Sequence, residues 1–327
     1  YRNGLRYVNR FRKLSVGERK FTKEESPVTS DGTQKSFKIT SMSGQWFLQK
    51  VSNKRMNGRM KIEVHFTCPI FQKPWHDLKK NDRVTFAGKL FDGENEVQNG
   101  FVVGFCKIDD LGGYVDVQKC SFAEIKNNIP AQQAVILAFP LITSYHIFMN
   151  LLNDATGKNV LIYHENEMIC CIFACVALSL DVKVVCLVKD RSSKERIRKA
   201  YDLVTLTTDE IVRAELDNAN SVEFDAVCLL SENSSYFYRQ IMKHIKSGAT
   251  VVTLSGKKHI KFNPLVHGKD IRCIAINLQN STEISKNFEE LFDSCCFLLR
   301  SKTSLERLLN MPQTVFSIYE IMNNEMK

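Results

Sequence analysis

The rhythm of hydrophobic and polar positions changes near residue 130 of this 327-residue chain. Before it, the apolar runs are short. "MKIEVHFTC" (60–68) alternates apolar and polar residues, as a half-buried strand must, because successive side chains point to opposite faces of a sheet. "DRVTFAGKL", "GFVVGFCKI" and "GYVDVQ" follow closely, divided by "DGEN" and "DDLGG", whose Asp, Asn and Gly suit turns. Short strands punctuated this way predict a small barrel or sandwich.

After residue 130 the apolar runs lengthen. "PAQQAVILAFPLITSYHIFMNLL" predicts a helical region interrupted at Pro140, where the missing amide and the ring clash break a helix. Continuous apolar strands are then expected at 159–163, 182–188, 225–230, 250–254 and 271–277. Helical runs such as "EMICCIFACVALSL" and "SSYFYRQIMKHIKSG" separate them, the second with Gly248 at its expected cap. Strands buried on both faces and joined by helices predict a parallel, doubly wound sheet of the Rossmann type. The stretches "NFEELFDSCCFLLRSKTSLERLL" and "VFSIYEIMNN" read as helical again.

Composition adds three points. A hydrophobic content of 44% with 25% charged residues is ordinary for a globular protein, and no membrane span or signal peptide is read from the sequence. The chain opens at Tyr1 without a methionine and is read as a piece of something longer. The net charge of +9 is concentrated: residues 1–62 carry fifteen Lys or Arg against four Asp or Glu. That segment is either a solvated basic linker or a module for an anionic partner; it carries no nucleic-acid recognition motif. The eleven cysteines are scattered through apolar runs without any CxxC pair, so buried thiols of a reduced, cytoplasmic protein are expected and a metal centre is not.

The junction "VLIYHENEMICC" (160–171) raises the functional question, because a buried strand runs straight into an apolar helix with glutamates between them. Carboxylates near a helix N-terminus favour its dipole, so these residues can supply the anion that a phosphate would otherwise provide.

A β-rich unit followed by a Rossmann unit resembles the medium-chain dehydrogenase/reductase superfamily. More narrowly, the chain looks like the enoyl reductase region of animal-type fatty acid synthases and related polyketide synthases. "YRNGLRYVNRF" (1–11) resembles the linker that precedes the reductase there, and "ILAFPLITSYHIFMNLLNDATGKNVLIY" (136–163) resembles the helix leading into the first Rossmann strand. "VALSLDVKVVCLV", "EFDAVCLLSENSSYFYRQIMKHIKSGATVVTLSGKKHIKFNPLV" and "VFSIYEIMNNEMK" follow the family's later blocks in order. The resemblance implies a basic linker at 1–36, a GroES-like domain from 37–130 plus 283–327, and a Rossmann-type domain at 131–282. It also implies a homodimer through the sheet edge Ile271 to Asn277, with an acyl carrier protein and other synthase domains as partners.

The resemblance also exposes departures. Active relatives place glycines after the first strand, where the backbone must approach a pyrophosphate without a Cβ in the way. Here those positions hold Glu165, Glu167, Met168 and Cys170. The stretch beside the nicotinamide becomes Ile70 to Lys73, keeping only Phe71, and the partner of the family's proton-donating lysine becomes Gln279. That lysine itself has a match in Lys257. Lys189, Arg191 and Lys194 stand where relatives hold the NADPH 2′-phosphate, or else form the basic start of a helix. The expectation is an enoyl-reductase-like domain that binds no cofactor and does not reduce. The alternatives are an active NADPH-dependent enoyl-thioester reductase with an unusual phosphate loop, and a basic interaction module acting through residues 1–62.

Overall fold

A computed structural model describes residues 37–42, 45–50, 60–70, 78, 82–92, 95–126, 129–153, 155–201, 204–207, 223–231, 241–254, 268–276, 282–301 and 316–317. Strands β1 (Phe37–Met42) and β2 (Gln45–Lys50) form an antiparallel pair. Next come β3 (Met60–Pro69), β4 (Arg83–Asp92), β5 (Asn95–Lys107), β6 (Tyr114–Asp116) and β7 (Cys120–Glu124). Together with β14 (Phe316–Ser317) they form an antiparallel sheet of order β14-β3-β4-β5-β7, with β6 paired to β3. Phe316–Ser317, within a stretch whose apolar pattern reads as helical, is thus a strand paired with β3.

The second sheet contains β8 (Asn159–Tyr163), β9 (Lys183–Val188), β10 (Val204–Thr207), β11 (Phe224–Leu229), β12 (Ile245–Thr253) and β13 (Arg272–Ala275). Its order is β10-β9-β8-β11-β12-β13 and every pairing is parallel. The order reverses between β8 and β11, the point at which a doubly wound sheet places its ligand site, at the carboxyl ends of the strands. One face of this sheet is covered by a cluster that includes Leu161, Leu187, Val227 and Val251. On the other face, Val160, Ile162, Cys186 and Cys228 join a core that continues through the helices to Val103, Phe105 and Ala123 of the antiparallel sheet. The two sheets therefore share one apolar interior.

Helix α1 (Ala131–His146) is the centre of that interior, and its backbone runs on through a wide turn at Ile147–Leu151. The expected break at Pro140 does not occur: Pro140 lies inside the helix. Residues 134–144 are all buried, and burying that many apolar side chains between two sheets outweighs the single hydrogen bond that proline cannot make. Ala131–Leu151 is also long and apolar enough to cross a membrane, but most of it is buried inside the protein. Helices α2 (Glu167–Ser179), α3 (Arg191–Tyr201), α4 (Thr282–Lys286) and α5 (Phe288–Ser301) complete the described elements. The α5 residues Phe288, Phe292 and Cys295 pack into the shared core.

Gly248 also departs from expectation. It lies within β12, with φ +77, rather than capping a helix, and its N–H donates to Lys269 O at 2.8 Å. The β11–β12 register jumps from Phe224↔Ile245 to Ala226↔Thr250, and Gly248 lies in the extra length. Glycine suits that left-handed backbone because it has no Cβ. Of the cysteines, nine are buried, Cys120 is half-buried and Cys273 is exposed.

Candidate functional site

The junction at the carboxyl end of β8 is built by residues 164–170. Tyr163 closes the strand, and its carbonyl accepts from Leu230 N at 2.9 Å, fixing the loop beside β11. His164 follows, with its Nδ1 accepting from the Asn166 backbone N–H at 2.8 Å. A ring nitrogen that accepts this bond cannot carry a proton there, so the imidazole is neutral. Burial lowers its pKa to about 4, against the pull of the Glu165 charge. Its partner at that nitrogen is backbone rather than a carboxylate. Glu165 is exposed.

Asn166 then starts the helix. Its extended backbone and its side-chain oxygen, which accepts from Met168 N at 2.9 Å, make it the N-cap of α2. Cys170 is buried, with its thiol donating to His164 O at 3.4 Å and its amide to Asn166 O. Burial pushes this thiol up to about 12. Met168 packs both on the large core and on the cluster of Cys68, Ala87, Val135 and Ile136. It therefore fills space between the helix start and the antiparallel sheet. Ile70, at the far end of β3, also packs against the large core.

Glu167 opens the first turn of α2 and reaches across to α3. Its carboxylate accepts from Ser193 Oγ at 2.6 Å and from Arg196 Nε at 3.1 Å, with Arg196 Nη2 closing the second arm of the fork. The Arg196 guanidinium, followed by Ser193, holds the Glu167 carboxyl below its ordinary value despite partial burial. Asp190 caps α3, accepting from Ser193 N at 2.9 Å and Ser192 Oγ at 2.6 Å, and these bonds lower its pKa to about 2. The result is a closed polar circuit over the helix start.

Lys189 and Arg191 are exposed at the end of β9, and Lys194 is half-buried on α3. The cation that meets α2 is instead Arg196. Lys257, Phe71 to Lys73, Asn277 and Gln279 lie outside the described residues, as do residues 1–36 of the basic segment. Ile271 to Ile276 include β13, the edge strand of the parallel sheet, where Arg272, Cys273 and Ala275 are exposed. Among the described residues, no three His, Cys, Asp or Glu side chains gather as a metal site.

No family model matches the sequence and no curated protein matches it. Solved structures do share its fold. The structure of CurK enoyl reductase superposes with a TM-score of 0.61 at 12% identity, covering 85% of this chain and 91% of its own. An alcohol dehydrogenase superfamily protein from Novosphingobium aromaticivorans also gives 0.61, at 15% identity, with coverage of 81% and 87%. The yhdH oxidoreductase from Salmonella enterica, solved in complex with NADP, gives 0.57 at 10% identity, with coverage of 83% and 90%. The shared architecture is a Rossmann-type sheet plus a GroES-like domain.

Proposed function

We propose that this chain is an enoyl-reductase-like domain of a type I fatty acid or polyketide synthase that neither binds NADPH nor reduces, and is retained as architecture and as a dimerisation element. The observation that carries this reading is the Glu167 carboxylate on the first turn of α2, engaged by Ser193 and Arg196. A Rossmann protein offers that helix start to a pyrophosphate, through bare amides and a positive dipole end. Here Asn166 accepts from one of the first amides and Glu167 supplies a negative charge. A pyrophosphate entering would find that helix start already supplied with a carboxylate, whose own cation, Arg196, is committed to it. Met168, against Cys68 and Ile136, takes up further room. The residues present do not fit the cofactor.

The dimerisation part rests on β13. Among the described strands it is the last in its sheet, and the outer edge of an end strand offers backbone groups to a second copy. An acyl carrier protein and neighbouring synthase domains are the partners the sequence resemblance supplies.

A second reading, an active NADPH-dependent enoyl-thioester reductase, draws on the exposed Lys189 and Arg191 beside the end of β9. Turnover separates the two. The silent reading expects no oxidation of NADPH with a crotonyl thioester. Measurable turnover abolished by Lys257→Ala would establish the active reading instead.

A further inference from the structure

We propose that Cys106 and Cys120 are a redox pair that closes to a disulfide across β5 and β7 when the protein meets a peroxide. The two residues are direct register partners and the last pair of the β5–β7 ladder. Opposed residues of antiparallel strands have Cα atoms about 4.5–5.5 Å apart, inside the roughly 4.4–6.8 Å that a disulfide spans. Both side chains also lie on the same face. Cys106 belongs to the cluster of Ile62, Val84, Phe86 and Val102, and Cys120 packs against that cluster. Neither side chain has to change sides for the sulfurs to meet. In no other described strand pair do two cysteines oppose each other.

Access differs between the two. Cys106 is 2% exposed, whereas Cys120 is half-buried, with its thiol held only by a long bond to Val117 O at 3.6 Å. Cys120 is therefore the sulfur that meets the oxidant. Its thiolate attacks the peroxide oxygen, the O–O bond breaks, and the sulfur becomes a sulfenic acid while the departing hydroxide takes up a proton. The Cys106 thiolate then attacks that sulfur, the S–S bond forms, and a second hydroxide leaves and is protonated. Two thiols lose two electrons and one peroxide becomes two waters. Burial, followed by Asp116 and Asp110, pushes the Cys120 thiol up to about 12. Closure is accordingly slow, and its rate climbs about tenfold per pH unit between pH 7 and 9.

The bridge would enclose residues 107–119, which contribute Ile108, Leu111 and Val115 to the same cluster. Constraining that loop in the unfolded chain should raise the thermal midpoint by roughly 5 °C or more.

The full chain, treated with hydrogen peroxide at pH 9, denatured with an alkylating agent and digested with trypsin without reduction, gives the test. The expected product joins peptide Leu90–Lys107 to peptide Cys120–Lys126, neither of which contains another cysteine. In Cys106→Ser, Cys120 should instead proceed to sulfinic acid; if that variant fails to fold, the wild-type map decides alone. Sulfinic Cys120 beside alkylated Cys106 in the wild type, a bridge from either residue to a different cysteine, or two unreacted thiols would each overturn the proposal.

Discussion

Replacing Glu167 by glutamine removes one charge while keeping the side chain's length and helix propensity. The carboxylate it replaces accepts from Ser193 Oγ and from both arms of Arg196, at the first turn of α2. Losing a negative charge at a helix N-terminus costs about 0.3–1 kcal/mol. Losing a partly exposed ion pair costs about 0.2–1 kcal/mol more, since the Glu167 side chain is 33% exposed and solvent screens it. Glutamine retains an acceptor for Ser193, so the expected loss lies in the lower part of the combined range, about 0.5–1 kcal/mol. Denaturant titration at low salt should show it. The loss should shrink at 1 M salt, where the screening length falls to about 3 Å.

The acid dependence has a definite sign. Because the folded Glu167 carboxyl sits below its ordinary value, its contribution is present above the unfolded pKa, about 4.3, and disappears as pH falls through the folded value. Wild type and variant should therefore converge in acid. With the built-in anion gone, inorganic pyrophosphate should stabilise Glu167→Gln and leave the wild type unmoved. A variant at least as stable as wild type at neutral pH and low salt would refute the idea that Glu167 serves as the helix's own anion.

His164 gives an opposite route to acid sensitivity. Its folded pKa, about 4, lies below the unfolded value of about 6.5, so its contribution is intact above 6.5 and is lost as pH falls toward 4. Between pH 7 and 4 the wild type should lose about 1–3 kcal/mol more than His164→Asn, measured by denaturant titration; equal losses would contradict a half-buried, neutral ring. At the sheet edge, Ala275→Lys should convert a dimer to a monomer in light scattering, because like charges would face each other across the two-fold contact. A monomeric wild type at micromolar concentration would remove the dimerisation role.

The parts legible in the sequence are those fixed by burial pattern. The strand expected at 159–163 forms there, and 182–188 and 225–230 shift by one residue at most at either end, because apolar runs in a sheet covered on both faces leave little choice of boundary. The short strand Val204–Thr207 was missed: it is an edge strand of four residues with Val204 exposed, so its pattern is weak. Cys120–Glu124 was also missed, since a three-residue turn directly before it hides the alternation. Pro140 misled because local chemistry argued for a break that tertiary burial overrode.

The site was legible as a location and less so as a network. The strand-to-helix junction forms where the apolar pattern placed it, between Tyr163 and Glu167, whereas Lys189, Arg191 and Lys194 came from the family resemblance, as 2′-phosphate contacts. The contact to α2 comes from the helix face: Ser193 and Arg196 are three residues apart and so project together toward Glu167. Asp190, three residues before Ser193, was the available signal, since an N-cap there fixes which residues of α3 face α2.

Titration of the wild-type chain with NADPH by calorimetry tests the central claim most directly. An own-anion site on α2 predicts no saturable heat through the micromolar range, at low salt where electrostatic attraction is strongest. Saturable one-to-one binding in that range would contradict the account, and would return Lys189 and Arg191 to the role of cofactor contacts.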